Sequence, residues 1–261
     1  MANPYAAPKN TANAAPRGDM AIVCRGVTKE FGTGGARVMA LRGVDLDVPY
    51  GELLLLVGES GCGKTTLLSV VAGILDPTAG EVSVLGTDIT RLYGRHKVNF
   101  RGKHLGFVFQ QYNLLPSLTA AENAAIPLII LGHARGKAVA RAKEILDHMG
   151  MGKRVNALPS ELSGGQQQRV AIARSLVHNP SIIICDEPTA ALDAENGQKI
   201  METLAQVAVQ ADRAVVVVTH DNRIFKFGDR IAYMEDGKID SIKDKAQIRK
   251  EFGERTQHSA E

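Results

Sequence analysis

The chain reads as an α/β domain, with a mostly parallel sheet and flanking helices, an antiparallel β subdomain ahead of it and an inserted α-helical subdomain. Three observations carry this reading. Four apolar runs, "ELLLLVG", "LGFVFQ", "SIIICDE" and "AVVVVTH", lack alternation, as strands covered on both faces do. Between the second and third, "GKAVARAKEILDHMGM" sets Val139, Ala142, Ile145, Leu146 and Met149 at spacings of three and four, one face of a helix. Before the first, the stretch from "AIVCRGVTKEF" to "VMALRGVDLDV" alternates, with turn signals at residues 33–35 and 49–51, the form of a small antiparallel sheet. Together they predict three layers of one domain.

In chain order, residues 1–19 are rich in Ala, Pro and Asn without an apolar stretch, and read as a disordered leader rather than a signal peptide. The folded domain is expected over 20–243, with its helical part over about 112–178. Residues 244–261 form a charged C-terminal tail, read as a short helix and a frayed end. Of the 261 residues 44% are hydrophobic, enough for an ordinary core, and the +3 charge comes from near-balanced acids and bases. Composition therefore gives no argument for nucleic acid, and none is expected as a partner. Cys24, Cys62 and Cys185 are far apart and lack C-x-x-C spacing, which disfavours a disulfide framework or a zinc site and fits a reducing cytosol. No apolar run approaches the roughly 18 to 20 residues that span a bilayer.

The chemistry sits where the runs end. "GESGCGKTT" matches G-x-x-x-x-G-K-[ST] and lies between an apolar strand and the helical run "TTLLSVVAGIL", so the core is read as a P-loop NTPase. Its backbone amides, from Gly58 through Ser60, Gly61, Cys62 and Gly63 to Thr66, wrap phosphates; Lys64 reaches the outer phosphates and Thr65 ligates Mg²⁺. Asp186 and Glu187 close a buried strand as adjacent carboxylates that repel unless a cation intervenes. Asp186 is expected to hold Mg²⁺ through water, and Glu187 to take the proton of an attacking water. His220 ends the next strand on the same sheet edge, placed to meet a γ-phosphate, and Gln110 leaves a strand with an amide for the metal or a water. "LSGGQQQRVAIAR" has Ser163 as an N-cap, then Gly164, Gly165 and Gln166, with an apolar stripe from Val170 behind. Exposed amides, a hydroxyl and a helix dipole make a second anion site. With one Walker loop in the chain, that anion belongs to a nucleotide held by another copy.

With these motifs in view, the chain resembles the nucleotide-binding subunits of ABC transporters over about residues 21–242. The resemblance rests on order and spacing: Walker A at 58–65, the glutamine loop at Gln110, LSGGQ at 162–166, Walker B through Asp186 and Glu187, the D-loop "AALD" with Asp193, and the switch His220. It implies ATP and Mg²⁺ as ligands, and Phe31 as the ring stacked on adenine. It also implies a head-to-tail dimer in which Ser163 and Gly165 of one copy hold the γ-phosphate bound by the other. The D-loop of the family usually reads S-A-L-D; Ala190 removes that hydroxyl here, while Asp193 is retained. Cys62 occupies a variable position and reads as filler.

Longer stretches, such as "LGFVFQQYNLLPSLTAAENAAIPLIILG", are similar to the MacB, LolD and DevA branch of bacterial exporters. That likeness implies a transmembrane permease partner, room for a periplasmic adaptor, and a place on the cytoplasmic face of the inner membrane. Leu114, Leu115, Leu118 and Ile126, with Pro116 between, are expected to line a groove for a short permease helix. A mechanical or regulatory complex of the cell-division type, which moves no substrate, stands as the rival. A DNA-repair or chromosome ATPase would need long heptads between Thr66 and Glu161, which are missing. A translation factor of the superfamily would need two cassettes.

Overall fold

The computed structural model describes residues 19–32, 36–208 and 210–253. In chain order these form β1 (Met20–Phe31), β2 (Val38–Pro49), β3 (Leu53–Val57), α1 (Lys64–Val71), β4 (Ala79–Val84), β5 (Thr87–Asp88), α2 (Gly94–His104) and β6 (Leu105–Val108). There follow α3 (Ala120–Ile130), α4 (Arg135–His148), α5 (Gly164–Leu176), β7 (Ile182–Asp186), α6 (Ala194–Ala208), β8 (Ala214–Thr219), β9 (Arg230–Glu235), β10 (Lys238–Asp244) and α7 (Lys245–Ile248). The expected leader, save for Asp19, lies outside the described residues, as do residues 33–35 of the first turn and 254–261 of the tail.

The four unalternating runs become β3, β8, β7 and β6, neighbours in one parallel sheet. Their lack of alternation has a direct cause. Leu53, Leu55, Ile183, Cys185, Val215 and Val217 feed one core, and Leu54, Leu56, Ile182, Ile184, Val216 and Val218 feed the other. Helices α3 to α6 cover the first face; α1 and the antiparallel sheet β2-β1-β4-β5 cover the second. Both faces are therefore dry, and each run is apolar along its length, with a polar residue closing β7 and β8.

Several elements differ from expectation. The sheet continues past β3 into β9, parallel, and β10, antiparallel, through a turn at Asp236 and Gly237, both at positive φ. β4, β5 and α2 were also unforeseen; α2 buries no residue and so has no apolar stripe to read. α1 stops at Val71 instead of running to Leu75, because Gly73 turns left-handed at φ 63°. The short helix expected beyond Lys243 is present as α7, and the chain stays packed as far as Phe252. Ile248 is buried in the main core, and the Phe252 ring meets Phe225 edge-on at 5.1 Å. The thiols of Cys24 and Cys185 are buried; burial pushes Cys24 up to about 12 and Cys185 higher still, which keeps both unreactive. No helix among the described residues is long and apolar enough to cross a membrane.

Candidate active site

Because β3, β6, β7 and β8 run parallel, their C-terminal ends open on one edge. Val57 pairs with Thr219, and Asp186 with Val218. The residues that follow these strands meet in a cleft of about 640 Å³, lined by Gly58, Ser60, Gly61, Gly63, Lys64, Thr65, Thr66, Gln110, Asp186, Glu187 and His220. This is where an open α/β sheet binds its ligand.

The loop from Gly58 to Lys64 has glycine near both ends for lack of room, whereas Gly61 between them has open space and a φ of 83°. A Cβ on Gly58 would strike the carbonyl of Met234 in β9, and one on Gly63 the carbonyl of Ala40 in β2. Gly63 also caps α1 at φ 105°, a conformation that excludes ordinary side chains. The loop is thereby pressed between two strands, with the N-terminus of α1 facing the cleft. Lys64 lies buried beneath it, its Nζ donating to the carbonyls of Gly58 (2.9 Å) and Glu59 (2.6 Å), with Cys62 Sγ at 3.5 Å. Cys62 is thus a neighbour of the lysine.

Across the cleft, Thr65 Oγ1 donates to Asp186 Oδ2 at 3.3 Å. Burial pushes the Asp186 carboxyl up; the Thr65 hydrogen bond and Lys64 oppose this, while the Glu187 charge adds to it. Glu187 leaves the strand at φ 47°, its amide donating to Val218 O. Both of its oxygens are engaged: Gln110 Nε2 donates to Oε2 at 3.2 Å, and His220 Nδ1 lies 2.9 Å from Oε1. The structure thus brings Lys64, Thr65, Gln110, Asp186, Glu187 and His220 together, as the sequence suggested.

Other expected residues stand apart. Phe31 ends β1 40% exposed, with Lys29 Nζ 5.2 Å above its ring, and does not line the cleft. Ser163 caps α5 in a capping box: its Oγ accepts from Gln166 N at 3.3 Å, and its own amide donates to Gln166 Oε1 at 3.0 Å. Gly164 and Gly165 occupy the first turn, where amides have no intrahelical acceptor. None of these four lines the cleft. Asp193 also lies outside it; its carboxylate accepts from Asn196 N (2.9 Å) and Nδ2 (2.8 Å), which caps α6. Asn196 was missed: an Asp before a helical run is a readable N-cap, but no sequence signal marks the residue whose amides donate to it. Asn196 also abuts the signature: a Cβ on Gly165 would come within 3.2 Å of its Cγ.

Residues 41–190 match the family model described as ABC transporter. A lipoprotein-releasing system ATP-binding protein LolD of Bacteroides fragilis is 42% identical over 218 residues, 84% of this chain and 99% of its own. The chain belongs to the ABC transporter family. As such it is an ATP-binding subunit and an ATPase. Among solved structures, the ATP-binding cassette MJ0796, a dimer in a post-hydrolysis state bound to ADP and Pi, superposes with a TM-score of 0.80. It is 39% identical, with 86% of this chain and 98% of that one covered. CbiO1 of Clostridium perfringens, part of the ABC transporter complex cbiONQ, superposes at 0.79 with 25% identity, covering 91% and 92%.

Proposed function

We propose that this ABC ATPase works as a head-to-tail pair of identical chains, each closing over the nucleotide held by the other, and that closure drives a separate membrane permease. The observation that carries this is a mismatch within one chain. The Walker residues, Gln110, Glu187 and His220 share a cleft, while the first turn of α5, built to meet an anion, stands outside it. A second copy supplies what one cleft lacks. The dimeric form of the related MJ0796 cassette supports the same reading.

In this account the phosphates replace the carbonyls of Gly58 and Glu59 as partners of Lys64, since a hydrogen bond to an anion is stronger than one to a neutral carbonyl. Phe31 stacks on adenine, and the amides of residues 58–66 wrap the phosphates. Ser163 Oγ accepts within its own helix cap, so its hydroxyl proton stays free to donate to the γ-phosphate across the interface, beside the amides of Gly164 and Gly165. Gln166 holds that cap, and Asp193 holds the D-loop against it. His220 turns to the γ-phosphate and Gln110 away from Glu187, which frees a carboxylate oxygen to accept the proton of the attacking water.

Thr65, Asp186 and Gln110 offer hydroxyl, carboxylate and amide oxygens, the hard donor set of Mg²⁺, with too few carboxylates to hold it unless phosphate and water complete the shell. When bound there, Mg²⁺ neutralises charge on the phosphates. It also relieves the repulsion between Asp186 and Glu187.

The permease is met on the cytoplasmic face of the membrane, through the segment after Gln110. Of the leucines expected there, Leu114 packs on the inner core, whereas Leu115 is 50% exposed and Leu118 and Ile126 are half-buried. Kinship with lipoprotein-releasing proteins favours the exporter branch, with a lipid-anchored cargo, over a purely mechanical complex. Reconstitution of the chain with its permease in vesicles tests this. The permease should stimulate ATP turnover and crosslink to a photoreactive residue at position 115; failure of both removes the reading.

A further inference from the structure

Arg174, near the end of α5, is half-buried, and burial lowers its pKa. Among the described residues no carboxylate pairs with it. Instead its two terminal nitrogens fork onto consecutive backbone carbonyls: Nη1 donates to Asn113 O at 2.6 Å and Nη2 to Tyr112 O at 2.8 Å. These charge-assisted hydrogen bonds tie the far part of α5 to that loop, a link an apolar side chain in the same place would not make. Its partners lie two and three positions beyond Gln110, in a bend where Asn113 adopts φ 49°. Asn is among the few non-glycine residues that take this conformation at low cost, which suits the bend.

The same bend touches the other end of the helix. The Tyr112 hydroxyl stands where a Cβ on Gly164 would come within 2.9 Å of it. One short segment therefore bears on α5 twice, through Arg174 near its C-terminus and at the signature glycine at its N-terminus. Gln110, at the head of that segment, donates to Glu187. A continuous path of hydrogen bonds and close contacts thus joins the carboxylate in one cleft to the helix turn expected to complete the cleft of the other copy.

We propose that Arg174 is a positioning residue that gears the glutamine loop to the signature helix, so that displacement of Gln110 and reorientation of Ser163 to Gln166 are one motion. This rests on the reading that both motifs serve a single reaction shared by two copies. Arg174 meets no phosphate itself and acts through Tyr112 and Asn113.

The test is a double-mutant cycle on the full chain. Arg174→Met keeps the aliphatic stem without donors. Its affinity for ATP should stay within about twofold and its KM should hold, while kcat falls about tenfold. Arg174→Lys, with one ammonium for the two carbonyls, should recover part of the loss. In a Gln110→Ala background, Arg174→Met should cost less than about twofold, since the route it acts through is already cut. Amide exchange over residues 109–115 should quicken in Arg174→Met, a readout independent of turnover and of pairing. Equal losses in both backgrounds, or unchanged exchange in a folded variant, would overturn the proposal. Should Arg174→Met fail to fold, Arg174→Lys carries the same readouts. A native chain that never pairs but shows the exchange change would count against the dimer reading alone; a native dimer with an additive cycle would count against the gearing alone.

Discussion

Lys64 shares its ammonium between two loop carbonyls, an arrangement a phosphate oxygen can outbid. Lys64→Ala should therefore lose about 1.5 to 3 kcal/mol of ATP binding, roughly tenfold or more in affinity. Calorimetry reads this directly, and an unchanged affinity would contradict the placement. Glu187 has both oxygens taken by Gln110 and His220, so in its proposed role as base it would act only once those partners leave. Glu187→Gln should keep the nucleotide and lower kcat by about 10²- to 10⁴-fold. A variant turning over at the native rate would end its assignment as the base. Lys64 and Glu187 stood out in the sequence because the chemistry proposed for them fixes their spacing, and the structure brings them to one cleft. Asn196 and Arg174 were not singled out: the guanidinium of Arg174 meets main-chain carbonyls, which every residue carries and no sequence marks.

At the scale of elements, α3 is held by more than its apolar face. Thr119 and Glu122 form a capping box, and the fully buried Asn123 sends its Nδ2 to the carbonyls of Leu115, Leu118 and Thr119 while its Oδ1 accepts from Leu115 N. One amide thus shapes the segment that leads from Gln110 into the helix. Asn123→Ala takes away the partner of Leu115 N and Leu118 O and should cost about 2 to 3 kcal/mol of stability. Denaturant unfolding checks this, and a loss under about 1 kcal/mol would show that the segment is shaped by something else. The buried strands were legible as apolar runs, since both faces of β3, β7 and β8 are dry. β9 and β10 were missed although Asp236 and Gly237 spell a hairpin turn, because β10 is a mostly exposed edge strand without an apolar face. α2 left no periodic trace for the same reason.

At the scale of the molecule, the three layers follow from which faces must be covered, and so could be read from patterning alone. The proposed dimer adds a claim that no single chain can display, that α5 of one copy completes the cleft of the other. Ser163, Gly164, Gly165 and Gln166 stand away from the cleft; the motif itself marks them as anion-seeking, and only the single Walker loop and the family resemblance point to another copy's anion. The central claim is that the γ-phosphate joins two copies. Light scattering on the full-length Glu187→Gln chain tests it most directly. The account predicts a dimer with Mg·ATP, a single chain with Mg·ADP, and no dimer when Ser163→Arg is added. A Glu187→Gln chain that stays single when saturated with Mg·ATP, alone and on its membrane partner, would contradict it.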